Sequence, residues 1–216
     1  MPKLHTYEGQ EGVVTYDAKR CIHVAECVHG LPAVFDPNSR PWVSPDGAGA
    51  EELASVIARC PTGALHFERA DGLPAEPVPG RSRVILVADG PLYVHGQIEI
   101  AASDGTVQLV DTRVALCRCG ASENKPFCDG SHTRAGFRAS GTWEELTAPA
   151  GDPAAEGPLR VICRTDGPLL LQGPFTLTAA DGTSAPCARA AACRCGASEN
   201  RPFCDGSHSA VGFTAA

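Results

Sequence analysis

Eleven cysteines and seven histidines stand in this chain of 216 residues, and most of the cysteines recur at fixed spacing. Cys117, Cys119, Cys128 and His132 form the pattern C-x-C, eight residues, C-x-x-x-H, and Cys193, Cys195, Cys204 and His208 repeat it. Three soft thiolates and one imidazole suit either a tetrahedral zinc or an iron–sulfur cluster. Incidental reduced cysteines would not recur at all four positions with identical internal spacing. A third group, Cys21, Cys27 and Cys60, lies nearer the N-terminus with wider gaps. Cys163 and Cys187 have no counterpart thiol in the other copy and read as packing residues.

The elements that must position these ligands come in three blocks. Pro-, Gly- and Ala-rich stretches at 70–80 and 147–158 lack large apolar residues and read as linkers. The two later blocks are copies. Asp89-Gly90-Pro91-Leu92 returns as Asp166-Gly167-Pro168-Leu169, and 117–132 returns as 193–208 with one change, Lys125 against Arg201. The offset is 77 residues early in the repeat and 76 later. Two copies are too few for a solenoid and suggest a homodimer fused into one chain.

Each copy is rich in strand signals: 83–87, 92–94, 97–100 and 106–109, answered by 161–163 and 175–178. Asp129 and Asp205 are expected to cap short helices that contain the histidines. The first block predicts a strand at 12–16, a helix at 50–59 stopped by Cys60-Pro61, and a strand at 64–68 that pairs with the first. His5, His29, His66 and His95 read as ordinary polar residues, and Trp42 and Trp143 as packing residues.

Composition excludes several classes. A net charge of −7 with no basic stripe is wrong for a nucleic-acid reader. No apolar run approaches the ~20 residues of a membrane helix, and the first residues lack the apolar segment of a secretory signal. A cytoplasmic, reducing setting is therefore expected, in which disulfides would not persist. No Gly-rich phosphate loop, nucleophile or acid/base pair stands out, so an enzyme is not expected.

Pro126-Phe127-Cys128-Asp129-Gly130-Ser131-His132 and its copy at 202–208 resemble the CDGSH signature of the mitoNEET-like family. The longer pattern C-x-C-x-x-[ST]-x-x-x-P-x-C-D-G-[SAT]-H is met in both copies, with Ser122 and Ser198 in the hydroxyl position. The resemblance covers roughly residues 81–216. It implies one [2Fe–2S] cluster per motif, Cys117 and Cys119 on the inner iron and Cys128 and His132 on the outer, with Cys193, Cys195, Cys204 and His208 arranged likewise. It also implies β-rich intertwined halves, so a pseudo-two-fold pair within one chain.

Residues 10–70 resemble a divergent single-cluster ferredoxin. Bacterial ferredoxins use C-x-x-C-x-x-C and a remote Cys-Pro. Here Cys21 and Cys27 keep the outer positions, Cys60-Pro61 the remote one, and Val24 stands where the middle ligand belongs. Three thiolates favour a [3Fe–4S] cluster, and His23, one residue off, offers a possible extra ligand for the [4Fe–4S] alternative.

The expected architecture is thus α+β. It has a divergent ferredoxin-like domain at 1–70, a linker at 71–82, a first CDGSH domain at 83–146, a linker at 147–158 and a second CDGSH domain at 159–216. The expected function is electron transfer by a monomer that docks on basic patches of redox partners. It excludes nucleic-acid and membrane partners. A cluster carrier or a redox or pH sensor is the alternative, and a structural zinc protein a further one.

Overall fold

Alternation along Gly12–Asp17 buries Val14 and leaves Val13 and Thr15 half-covered, the signature of a strand with one face on a core. That strand (β2) is the centre of a three-stranded antiparallel sheet. Its neighbours are β1 (Leu4–Gly9) and β3 (Leu65–Arg69), in the order β1-β2-β3. The pairing of β2 with β3 agrees with the sequence reading. β1 was not anticipated: its side chains alternate only between exposed and half-buried, as an edge strand's do. The computed structural model describes residues 4–143 and 150–215, and the chain divides into two units, Met1–Pro77 and Val78–Ala216.

In the first unit the apolar stripe of α2 (Ala50–Ile57) buries Leu53, Ala54, Val56 and Ile57 in one core with Val14, Leu31, Val34, Phe35, Val43, Leu65 and Phe67. The helix stops two residues short of the expected 59, and Pro61 disfavours helical geometry at the residue before it. A one-turn helix, α1 (Glu26–Gly30), begins just before Cys27. The first residues expected as linker are tied back to this unit. Arg69 pairs with Asp71 at 2.6 Å and Glu51 at 2.7 Å, and His66 meets Glu76 at 3.3 Å.

The second unit is one six-stranded sheet, with β4 (Ser82–Leu86), β5 (Leu92–Ala101), β6 (Val107–Leu116), β7 (Leu159–Cys163), β8 (Leu169–Thr178) and β9 (Ser184–Ala192). Within each copy the pairing is antiparallel, β4-β5-β6 and β7-β8-β9. Between copies it is parallel and exchanged: the second half of β5 takes β7, and the second half of β8 takes β4. The registers correspond, Ser82 opposite Phe175 and Leu159 opposite Ile98.

The runs at 92–94 and 97–100 are one strand, not two. It changes partner at a bulge where Gly96 has φ +146°, and Gly173 does the same in β8 at φ +119°. A Cβ on Gly96 would lie 2.7 Å from the Cα of Ser82, so only glycine lets the crossing strand come this close. The exchanged strands share one core that includes Ile98, Ile100, Leu159, Val161, Phe175 and Leu177.

The end of the expected first CDGSH domain (144–146) and the start of the second linker (147–149) lie outside the described residues. The remainder of that linker, from 150 on, runs along the sheet. Gly157 donates to the Gly80 carbonyl at 2.9 Å, and Arg81 donates to the carbonyls of Asp152 at 2.6 Å and Ala155 at 3.0 Å.

Candidate metal centres

Both CDGSH loops hang on strand ends. β6 ends at Leu116 and β9 at Ala192, which sets Cys117 and Cys193 at the rim of the core. The chain then folds back on itself. Cys117 donates its amide to the Pro126 carbonyl at 2.9 Å, and Cys128 donates to Ala115 at 2.8 Å; Cys193 and Cys204 do the same with Pro202 and Ala191, both at 2.8 Å. Buried Ser122 locks this turn, donating to the Phe127 carbonyl at 2.7 Å and accepting from Asn124 at 3.1 Å, and Ser198 makes the same two bonds in the other copy. Ser122→Ala removes one partner of the half-buried Phe127 carbonyl. It is expected to cost about 1–3 kcal/mol, read as a lower unfolding temperature of the second unit by circular dichroism, whereas an unchanged temperature would remove this role.

The short helices α3 (Ser131–Arg134) and α4 (Ser207–Ala210) carry the histidines. Their caps correct the sequence reading. Gly130 and Gly206, both left-handed, occupy the cap positions, and Asp129 and Asp205 stand one residue earlier. Asp129 accepts from the amides of Ser131 at 2.9 Å and Glu123 at 2.8 Å, and Asp205 from Ser207 at 3.0 Å and Glu199 at 2.8 Å. Each aspartate therefore ties the histidine helix to the cysteine loop.

The ligand-type atoms meet in pairs. Cys117 Sγ lies 3.7 Å from Cys119 Sγ, and Cys193 Sγ lies 3.7 Å from Cys195 Sγ. Two thiolates on one tetrahedral ion with ~2.3 Å bonds stand about 3.8 Å apart, so the pairs fit a metal. Cys128 Sγ is 3.3 Å from His132 Nδ1, and Cys204 Sγ is 3.4 Å from His208 Nδ1, so Nδ1 is the nitrogen each imidazole offers. The amides of Gly130 and Gly206 donate to the sulfurs of Cys128 and Cys204, each at 3.4 Å.

A hydrogen bond from Cys119 draws the Cys117 thiol down to about 6 and holds Cys119 above the usual thiol range. Burial pushes Cys128 and Cys193 up to about 11 and lowers His132. Among the described residues, no three His, Cys, Asp or Glu side chains gather round one ion position.

The two loops interlock through backbone. Gly120 has φ +76°, and a Cβ there would sit 2.5 Å from the Cys195 carbonyl oxygen; Gly196 has φ +81°, and its Cβ would sit 2.8 Å from the Cys119 oxygen. The second cysteine of each pair thus rests on the glycine after its counterpart.

In the first unit Cys21, Cys27 and Cys60 line one cavity together with Tyr16, His23, Val24 and Trp42. It encloses about 350 Å³ not filled by protein atoms, its open mouth included. Burial pushes Cys27 up to about 11, with Cys60 and Cys21 adding to the shift. Burial also raises Tyr16, helped by its hydrogen bond with Cys21. His23 and Ala25 are left-handed without being glycine, at φ 58° and 67°. Such geometry persists where a loop must wrap a site. Val24, between them, is 41% exposed, and His23 lies exposed at the same rim. Trp42 packs edge-on against Tyr16, ring centres 4.8 Å apart.

All eleven cysteines are free thiols, and Cys163 and Cys187 are buried in the sheet core. The sequence reading passed over the buried arginines Arg118 and Arg194; their place inside both C-x-C pairs was the available signal. Among the described residues, no helix is long and apolar enough to cross a membrane.

Two family descriptions match the chain. The iron-binding zinc finger of CDGSH type matches residues 89–133 and 166–209, and the divergent 4Fe-4S mono-cluster matches residues 7–70. The uncharacterized protein YjdI of Escherichia coli K12 is 33% identical over 61 residues, 28% of this chain and 80% of that protein. YjdI of Escherichia coli O157:H7 matches to the same extent. No solved structure matches.

Proposed function

We propose, from the premise that the chain belongs to the CDGSH iron-binding family and carries a divergent 4Fe-4S mono-cluster domain before its two CDGSH matches, that it is an electron carrier with three iron–sulfur clusters. The observation that carries this reading is the duplicated pairing of donors, 3.7 Å between sulfurs and 3.3–3.4 Å between sulfur and Nδ1 in both copies. Donors arriving as two pairs suit two irons better than one zinc. Cys117 and Cys119 would hold one iron of a [2Fe–2S] cluster and Cys128 and His132 the other. Cys193, Cys195, Cys204 and His208 would hold the second cluster. Cys21, Cys27 and Cys60 would hold a [3Fe–4S] cluster, and the family description favours the [4Fe–4S] form as the second reading. When bound, the clusters accept and release single electrons.

The protein's own residues do the rest. The exchanged strands and the interlocked glycine loops support reading the two CDGSH sites as a pseudo-two-fold pair. Cys117 and Cys193 are buried at the rim of the sheet core, as are Ser122 and Ser198, while Cys119 and Cys195 are half-buried. Nine of the eleven cysteines fall to cluster sites, which supports a carrier over an enzyme. The charge of −7 supports docking on basic redox partners, by a monomer in the cytoplasm. A cluster carrier or sensor remains the alternative, favoured by the half-buried His132 and His208 ligands.

Mixing the holoprotein with an apo-ferredoxin separates the two. Reversible reduction with iron staying on this chain supports the electron carrier. Movement of iron and sulfide to the acceptor within minutes contradicts it.

A further inference from the structure

A polar cavity lies where the two CDGSH copies meet, and none of the metal centres uses it. Its polar lining is Arg118, Ser140 and Thr142 from the first copy and Glu199, Asn200 and Arg201 from the second. It encloses about 690 Å³ not filled by protein atoms, its open mouth included. Small-molecule sites are of this order of size.

The lining is rich in unused donors. Arg118 is 3% exposed. Its Nε donates to the Gly90 carbonyl at 2.8 Å and its Nη2 to Val87, while Nη1 makes no hydrogen bond among the described residues. Arg201, half-buried, spends Nη1 on the Gly196 carbonyl at 3.0 Å and leaves Nε and Nη2 without a hydrogen bond among them. The hydroxyls of Ser140 and Thr142 bond each other at 2.8 Å, which uses one of their two protons. Two guanidinia against the exposed carboxylate of Glu199 leave the lining positive. Like charges on one cavity repel, and a buried cation calls for a counter-charge.

The duplication points to the same place. Lys125 against Arg201 is the one difference between 117–132 and 193–208. Lys125 donates to its own Ser122 carbonyl at 2.6 Å and lies 5.9 Å from the Phe213 ring centre. Arg201 lines the cavity. A guanidinium fork grips a tetrahedral oxyanion with two hydrogen bonds in fixed geometry, whereas an ammonium acts as a point charge.

We propose that this cavity binds the phosphate group of a small anionic ligand, with Arg118 and Arg201 on its oxygens and Ser140, Thr142 and Asn200 as further donors. The inference goes beyond the function proposed above and does not depend on which clusters the cysteines hold.

The test is calorimetric titration of the purified chain with inorganic phosphate and, separately, with glycerol 3-phosphate, at fixed ionic strength. One saturable site per chain is expected. Arg201→Gln is expected to weaken binding about tenfold, the loss of a charge-assisted hydrogen bond. Arg189→Gln removes the same charge from an exposed position on β9 outside the cavity and is expected to bind as the unaltered chain does. If Arg201→Gln does not fold by circular dichroism, Ser140→Ala combined with Thr142→Val removes donors remote from the cysteine loops, and several-fold weaker binding is expected. Tighter binding of glycerol 3-phosphate supports the site with a phosphate monoester as its ligand, and binding no tighter supports it with the free ion. No saturable heat with either probe, an Arg201→Gln variant that binds unchanged, or equal weakening by Arg201→Gln and Arg189→Gln would overturn the proposal.

Discussion

Gly120→Ala is expected to disable both CDGSH sites while leaving the first unit folded. The residue sits at φ +76°, where an L side chain costs roughly 1–2 kcal/mol. The added methyl would also lie 2.5 Å from the Cys195 oxygen and 3.0 Å from its carbonyl carbon. These are backbone atoms, so no rotamer change relieves the overlap. The loop carrying Cys193 and Cys195 must move, at about 1–3 kcal/mol more. Gly105→Ala is the control: its φ is +88°, but nothing lies within 4 Å of the new Cβ, so it bears the backbone strain alone. Iron per chain and visible absorption on warming check the result. Gly120→Ala should lose colour from both sites at a lower temperature than Gly105→Ala. Loss confined to the first site, or equal behaviour of the two variants, would contradict the interlock.

His132→Cys is expected to let the first CDGSH site survive acid that bleaches the second. A ligating imidazole must be neutral, so protons compete with iron for Nδ1, the atom that faces Cys128 at 3.3 Å. A neutral nitrogen is also held less strongly by ferric iron than a thiolate. The expected sign is loss of the His-ligated clusters as pH falls below the imidazole range near 6.5, with a slower loss, about tenfold or more, at the Cys-substituted site. Stopped-flow bleaching between pH 7 and 5 measures it. The double variant with His208→Cys should be resistant at both sites. Unchanged rates would show that acid attacks elsewhere.

The sequence made the candidate ligands legible because duplication supplies its own control: four donor positions recur across an offset of 76 residues. The three-cysteine site was legible through Cys60-Pro61, and the structure brings all three thiols to one cavity. The strand exchange was not legible. Gly96 interrupts the alternation and splits one strand into two apparent ones, and the choice of β7 as a parallel partner rests on contacts about 60 residues away. Nor was the burial of Arg118 and Arg194, since an arginine beside cysteines reads as a solvated residue until the Asp-Gly-Pro turn of its own copy accepts its hydrogen bonds. The stretch after 150 looked like a linker by composition, but Arg81 fastens it to the sheet through carbonyls that any sequence presents.

One measurement bears most directly on a chain with three clusters. Electron paramagnetic resonance is recorded on the purified protein as isolated and after reduction, with iron and acid-labile sulfide counted on the same sample. The account predicts a three-iron signal in the oxidised protein and two distinct [2Fe–2S] signals after reduction. A colourless protein with zinc in place of iron, silent in both states, would contradict it.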